Sequence, residues 1–250
     1  MNIVVDELLA HYELTGAGKL VLLLHGWGDS ARGMVQLQTA LSKKYRVLAV
    51  DLPGFGNSQA PKAVWDLDNY AGFLRDLIAK LELSQPYAVI GHSNGGALAI
   101  RALSLKLLTP QKLVLLAASG IRSTRKGRRL ALKVIAKAGN AATIWMPERH
   151  RRALRKRLYG VAGSDMLVVA HLQETFKKTV RQDVQADAAN IKAQTLLLYA
   201  ANDKAVPITD GQTYHKLIHG SRLEVIEDAE HFVHLDQPEK TEKLIMEFLV

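Results

Sequence analysis

The chain has 250 residues, 48% of them hydrophobic and 23% charged, with 18 Gly, 7 Pro and no Cys. That is globular composition in a chain long enough to bury about three-quarters of its unfolded surface, and it excludes collagen-like, low-complexity and disordered classes. The lack of cysteine excludes disulfides, thiolate zinc sites and a thiol nucleophile, while 33 Lys and Arg against 24 Asp and Glu give a net charge of +9.

Near the start, Asn2–Val5 and Leu8–Leu14 read as short strands joined by a tight turn. Lys19–Leu24 (KLVLLL) is a continuous apolar run, as expected of a strand buried on both faces. Tyr45–Val50 is a second such run, closed by the turn-rich Asp51–Ser58 (DLPGFGNS). Asp68–Leu81 carries Tyr70, Phe73, Leu74, Leu77, Ile78 and Leu81 at helical spacing. Tyr87–Ile90 is a short strand, Ala97–Leu108 a helix stopped before Pro110, and Lys112–Leu116 a strand. Thr195–Tyr199 and Arg222–Ile226 are further strands, and Lys240–Val250 is an amphipathic helix. Strands alternating with helical patterns predict βαβ units and a mainly parallel sheet.

The strand pattern stops between Gly120 and Asn190, where Leu130–Ala138, Arg149–Tyr159 and Asp165–Val180 look helical. Residues 1–120 and 191–250 are expected to form one α/β core, with 121–190 inserted as a helical cap. The insertion is basic: 16 Lys and Arg against 3 Asp and Glu fall between Ile121 and Arg181. Such a segment could touch an anionic surface, pack as a lid over an apolar pocket, or simply be a solvated helical face. It has neither zinc-finger spacing nor an RNA-recognition aromatic pattern, so no nucleic-acid partner is expected.

Tyr87–Gly96 (YAVIGHSNGG) contains Gly91-His92-Ser93-Asn94-Gly95, a G-x-S-x-G match between a strand and a helix. A serine nucleophile must stand on a sharp turn so that its hydroxyl clears the sheet edge. The turn crowds its own backbone, so glycines are needed two positions to either side. A helix that begins at the turn turns its free N–H groups and partial positive charge toward a developing anion.

These features resemble the α/β-hydrolase superfamily over nearly the whole chain. The resemblance implies a mostly parallel eight-stranded sheet flanked by helices, a helical cap, and a nucleophile–acid–histidine order along the chain. Thr195–Pro207 (TLLLYAANDKAVP) is similar to the family's acid loop, which makes Asp203 the candidate acid. Ala229–Pro238 (AEHFVHLDQP) is similar to its histidine loop, which makes His231 the candidate base to Ser93; many members have Gly where this chain has Glu230. Leu22–Ser30 (LLLHGWGDS) carries the family's His-Gly pair, so the resemblance assigns the oxyanion-binding main-chain N–H groups to Trp27 and Asn94.

Other residues compete for these roles. His234 lies three residues beyond His231, and Asp210 and Asp228 are alternatives to Asp203. His25 and His92 are expected to pack or bond locally, and Asp51 to shape its turn. Trp27 and Trp145 could line a substrate pocket or belong to the core. No metal-ligand spacing, P-loop or dinucleotide-binding glycine motif is present, so no cofactor is expected. No apolar run approaches the length of a membrane span, and the N-terminus lacks the pattern of a signal peptide. The expected location is therefore the cytoplasm.

The implied activity is cofactor-independent hydrolysis of a small carboxylic ester. Lactonase, thioesterase and carbon–carbon bond hydrolase are alternatives on the same triad, and a non-catalytic ligand-binding protein is an alternative of another class. A serine nucleophile argues against dehalogenases and epoxide hydrolases, and the HGWG loop lacks the HGGPG form of proline iminopeptidases.

Overall fold

The computed structural model describes residues 1–122 and 170–250. Eight strands, β1 (Asn2–Val5), β2 (Leu8–Thr15), β3 (Leu20–Leu24), β4 (Arg46–Val50), β5 (Ala88–His92), β6 (Lys112–Leu116), β7 (Gln194–Ala200) and β8 (Arg222–Ile226), form one sheet in the order β1-β2-β4-β3-β5-β6-β7-β8. The pairs β1–β2 and β2–β4 are antiparallel and the remaining pairs are parallel. The central strands have helices on both faces, which is why their sequences read as unbroken apolar runs.

The period of two along each strand divides the core. Leu22, Leu24, Leu48, Val50, Val89, Leu113, Leu115, Leu197 and Tyr199 face one layer, which includes helices α2 (Leu67–Lys80) and α3 (Asn94–Ser104). Val21, Leu23, Val47, Ala49, Ile90, Val114, Leu116, Leu196 and Leu198 face the other, with α1 (Val35–Leu41) and the C-terminal helix Pro238–Leu249. Helix α2 follows its expected stripe closely. Its start is set by Asp66, whose carboxylate accepts the N–H groups of Asp68 and Asn69 in a capping box.

Helix α3 differs from the reading of Ala97–Leu108 at both ends. It begins directly after Ser93 and stops at Ser104. The stop is a Schellman turn: Lys106 takes φ 57°, the Lys106 N–H donates to Leu103 O, and the Leu107 N–H donates to Ala102 O. Glycine usually marks such a turn, so a lysine there left no signal.

Within the expected cap, Gln173–Thr179 (α4) and Gln185–Ala188 (α5) are helical. Leu130–Ala138, Arg149–Tyr159, Trp145 and the first part of Asp165–Val180 lie outside the described residues. The chain leaves and rejoins the core at one place: the Val184 N–H donates to Gly120 O, and the Arg122 N–H donates to the Asp183 carboxylate. Helices α6 (Ile208–Leu217), α7 (Val233–Asp236) and α8 (Pro238–Leu249) complete the fold. No helix among the described residues is long and apolar enough to cross a membrane.

Candidate active site

The strand order reverses at β3, which has β4 on one side and β5 on the other. Loops leaving two adjacent parallel strands there diverge and open a crevice at the carboxyl edge of the sheet. Leu24 is in register with Gly91, so His25-Gly26-Trp27 emerges beside His92-Ser93-Asn94. A Cβ on Gly26 would lie 3.2 Å from the Ser93 Cβ, so the two loops touch.

Ser93 sits at φ 51°, ψ −116°, a conformation that costs a non-glycine residue on the order of 1–3 kcal/mol. Its surroundings hold it there. The Ser93 N–H donates to Leu116 O, and Ser93 O accepts from the N–H groups of Gly96 and Ser119. A Cβ on Gly91 would lie 2.5 Å from Gly95 O, one on Gly95 2.4 Å from Leu24 O, and one on Gly96 2.4 Å from the Ala118 Cβ. The three glycines therefore answer to close approach rather than to flexibility.

Ser93, Asp203 and His231 meet at this edge. The Ser93 Oγ is 3.0 Å from His231 Nε2, and His231 Nδ1 is 2.7 Å from Asp203 Oδ2. An ionised carboxylate only accepts, so Nδ1 carries the proton and Nε2 is left to accept from the serine hydroxyl. The other carboxylate oxygen accepts from the N–H groups of Ala205 (2.7 Å) and Val206 (2.8 Å). The Asp203 side chain is fully buried and its orientation is fixed from both sides.

The competitors lie elsewhere. His25 is held by its loop: Nε2 accepts from the Leu52 N–H and Nδ1 donates to Gly26 O. Burial pushes its pKa down, so it stays neutral. Asp51 accepts from the Ala31 and Asn57 N–H groups and so ties two loops together. His234 is buried 4.9 Å (ring to ring) from His92 and makes no bond to Ser93 or Asp203. Asp228 occupies a positive-φ turn, where its carbonyl accepts from Gln237. Asp210 lies on α6, and its charge acts on Tyr199 and Tyr214. Glu230 is exposed, with no positive φ, and its N–H donates to the Asp236 carboxylate. The loop thus needs no glycine at that position.

Asn94 is the first residue of α3, and its N–H is one of the helix's orphan donors. Among the described residues, neither this N–H nor that of Trp27 donates a hydrogen bond. The Trp27 ring packs edge-on against Phe55 at 4.8 Å and tilted against Phe176 at 5.0 Å. Nothing in the local sequence marks Phe55 and Phe176, because only the fold brings residues 27, 55 and 176 together. No group of three or more His, Asp or Glu among the described residues is arranged to hold a metal ion.

A model of the alpha/beta hydrolase family matches residues 21–244. The chain belongs to that family. Among curated relatives of this alpha/beta hydrolase, the 2-hydroxy-6-oxo-2,4-heptadienoate hydrolase of Pseudomonas putida is 26% identical over 94% of this chain and 90% of its own length. A pimeloyl-(acyl-carrier protein) methyl ester esterase of Neisseria meningitidis is 27% identical over 93% of this chain and 94% of its own. Among solved structures, a thermophilic esterase from Thermogutta terrifontis superposes with a TM-score of 0.75 at 22% identity, covering 100% of this chain and 97% of that one. At that identity the likeness speaks for the fold.

Proposed function

We propose that this alpha/beta hydrolase cleaves a carboxylic ester through a Ser93–His231–Asp203 triad. The observation that carries the reading is the unbroken hydrogen-bond path from the Ser93 hydroxyl, through both ring nitrogens of His231, to the buried Asp203 carboxylate. His231 takes the hydroxyl proton as Ser93 attacks the carbonyl carbon, then returns it to the leaving alcohol. Asp203 holds the imidazole in the required tautomer and stabilises the imidazolium without taking the proton. Water, deprotonated by the same histidine, then releases the acid from the acyl-enzyme.

The main-chain N–H groups of Trp27 and Asn94 are assigned to the oxyanion. Losing one such donor costs about 2.7–4 kcal/mol of transition-state stabilisation. Residues 121–190 are proposed as a basic cap over the site. Packing of Phe176 on Trp27 supports a contact between the end of that segment and the crevice.

A second reading, hydrolysis of a carbon–carbon bond on the same triad, is favoured by the Pseudomonas putida relative. A panel of activated esters, thioesters, lactones and vinylogous diketones, run on wild type and Ser93→Ala, separates the two. Ser93→Ala should remove turnover by several orders of magnitude while leaving the circular dichroism spectrum unchanged; retained turnover would reject the triad. Labelling of Ser93 by a fluorophosphonate separates any of these enzymes from a pure binding protein.

A further inference from the structure

The histidine preceding the nucleophile has no part in the proton path, yet it lies between the two loops that must be aligned. We propose that His92 is a positioning residue for the base: its Nε2–H donates to the main-chain carbonyl of His231 and so sets where the imidazole of residue 231 stands relative to the Ser93 hydroxyl. This rests on the triad reading.

The bond is 3.0 Å long and spans 139 positions of sequence. Its acceptor is a carbonyl, so Nε2 of His92 carries the proton and Nδ1 is bare. Nδ1 has no hydrogen-bond partner and faces the Gly26 backbone, where an added Cβ would sit 3.0 Å away. One side chain thus touches both the Gly26 loop next to Trp27 and the backbone of the base. The ring is closely surrounded: His231 and His234 lie 4.9 Å away and Phe232 5.0 Å, measured between ring centroids.

The bond also needs His92 to keep one defined tautomer. Burial first, then the neighbouring His234 and His231, hold its pKa well below the usual imidazole range, with His25 adding to the effect. His92 therefore stays neutral near pH 7, and of its two neutral tautomers the His231 carbonyl selects the one that carries the proton on Nε2. Its value lies in geometry. The triad distances of 3.0 and 2.7 Å leave little slack, and a misplacement of about 1 Å can cost on the order of 100-fold in rate.

The test compares two substitutions of nearly equal shape. His92→Met removes the donor, whereas His92→Gln keeps an amide N–H at about the reach of Nε2. Each is measured by the rate of fluorophosphonate labelling at Ser93, by kcat and KM on an activated ester, and by melting temperature. His92→Met should slow labelling and kcat by about 10- to 100-fold with KM little changed, and His92→Gln should recover most of that loss. The two melting temperatures should be similar. Labelling of His92→Met at the wild-type rate, or equal losses in both variants that follow the melting temperature, would overturn the positioning role and leave the triad standing. A wild-type protein that is not labelled at all would instead remove the triad reading, and this inference with it.

Discussion

Asp51 illustrates how a single side chain can matter greatly without taking part in chemistry. Its two carboxylate oxygens accept N–H groups from residues 31 and 57, and a Cβ on Gly56 would lie 2.2 Å from one of them. Asp51→Asn must turn an NH2 toward one of those N–H groups. The cost should be about 1–3 kcal/mol, the penalty for leaving a buried donor unmet. Urea denaturation should show that loss, with turnover per folded molecule nearly unchanged; a collapse of activity without loss of stability would place Asp51 in the chemistry. At this scale the three side chains that meet at the sheet edge were pointed to by G-x-S-x-G for Ser93 and by the family resemblance of two strand-following loops for Asp203 and His231. The bond from His92 to the His231 carbonyl was not, because nothing in local sequence ties residue 92 to a main-chain oxygen 139 positions away.

At the level of elements, the junction of β5 with α3 is the most demanding part of the fold. Three glycines let a strand turn into a helix within one residue while the backbones of β3 and α3 nearly touch. A Cβ on Gly96 meets the Ala118 methyl first, at 2.4 Å, with the Ala118 Cα at 3.1 Å and Gly91 O at 3.2 Å behind it, so the worst clash is between two side chains. Gly96→Ala should destabilise by about 1–3 kcal/mol as an overpacked core site. Ala118→Gly should restore part of that loss in the double variant, and strict additivity in a double-mutant cycle would show that the two positions are not in contact. Gly95→Ala has no such partner, since its Cβ would press on the Leu24 and His25 carbonyls, and no side-chain change should rescue it. Strands and the amphipathic α2 were readable because their periodicity is the direct imprint of burial. Helix α1, whose buried stripe includes Gln38, and helix α6, whose Gly211 packs on the Tyr199 ring, carry no clear helical pattern in their sequences. In both, contacts with the sheet outweigh a weak local preference.

Across the whole molecule, burial of neutral histidines couples stability to acid. His25, His92 and His234 all have pKa values lowered from 6.5, chiefly by burial. The unfolded chain protonates each of them near 6.5, whereas the folded chain resists. Between the folded and unfolded pKa values the unfolded state therefore binds more protons. Their stabilising effect is complete above about pH 6.5 and is lost as the pH falls below it, at up to about 1.4 kcal/mol per pH unit for each histidine. Urea midpoints measured from pH 8 to pH 4.5 should be flat at first and then fall. The fall should be shallower in His92→Gln, and an unchanged slope there would mean that His92 titrates alike in both states.

From its residues alone this chain settled the alternation of strands and helices, the two-faced burial of the central strands, and the glycine-flanked turn that carries Ser93. Those features are local: apolar periodicity records which faces leave water, and a tight turn demands glycine wherever it occurs. Tertiary structure alone decided which histidine lies 3.0 Å from Ser93 and which stays buried behind it. It likewise decided that Phe55 and Phe176 flank Trp27, and that Lys106 ends a helix in a conformation usually left to glycine. These outcomes depend on packing between distant segments, whose energies are summed over many contacts and leave no mark at any single position.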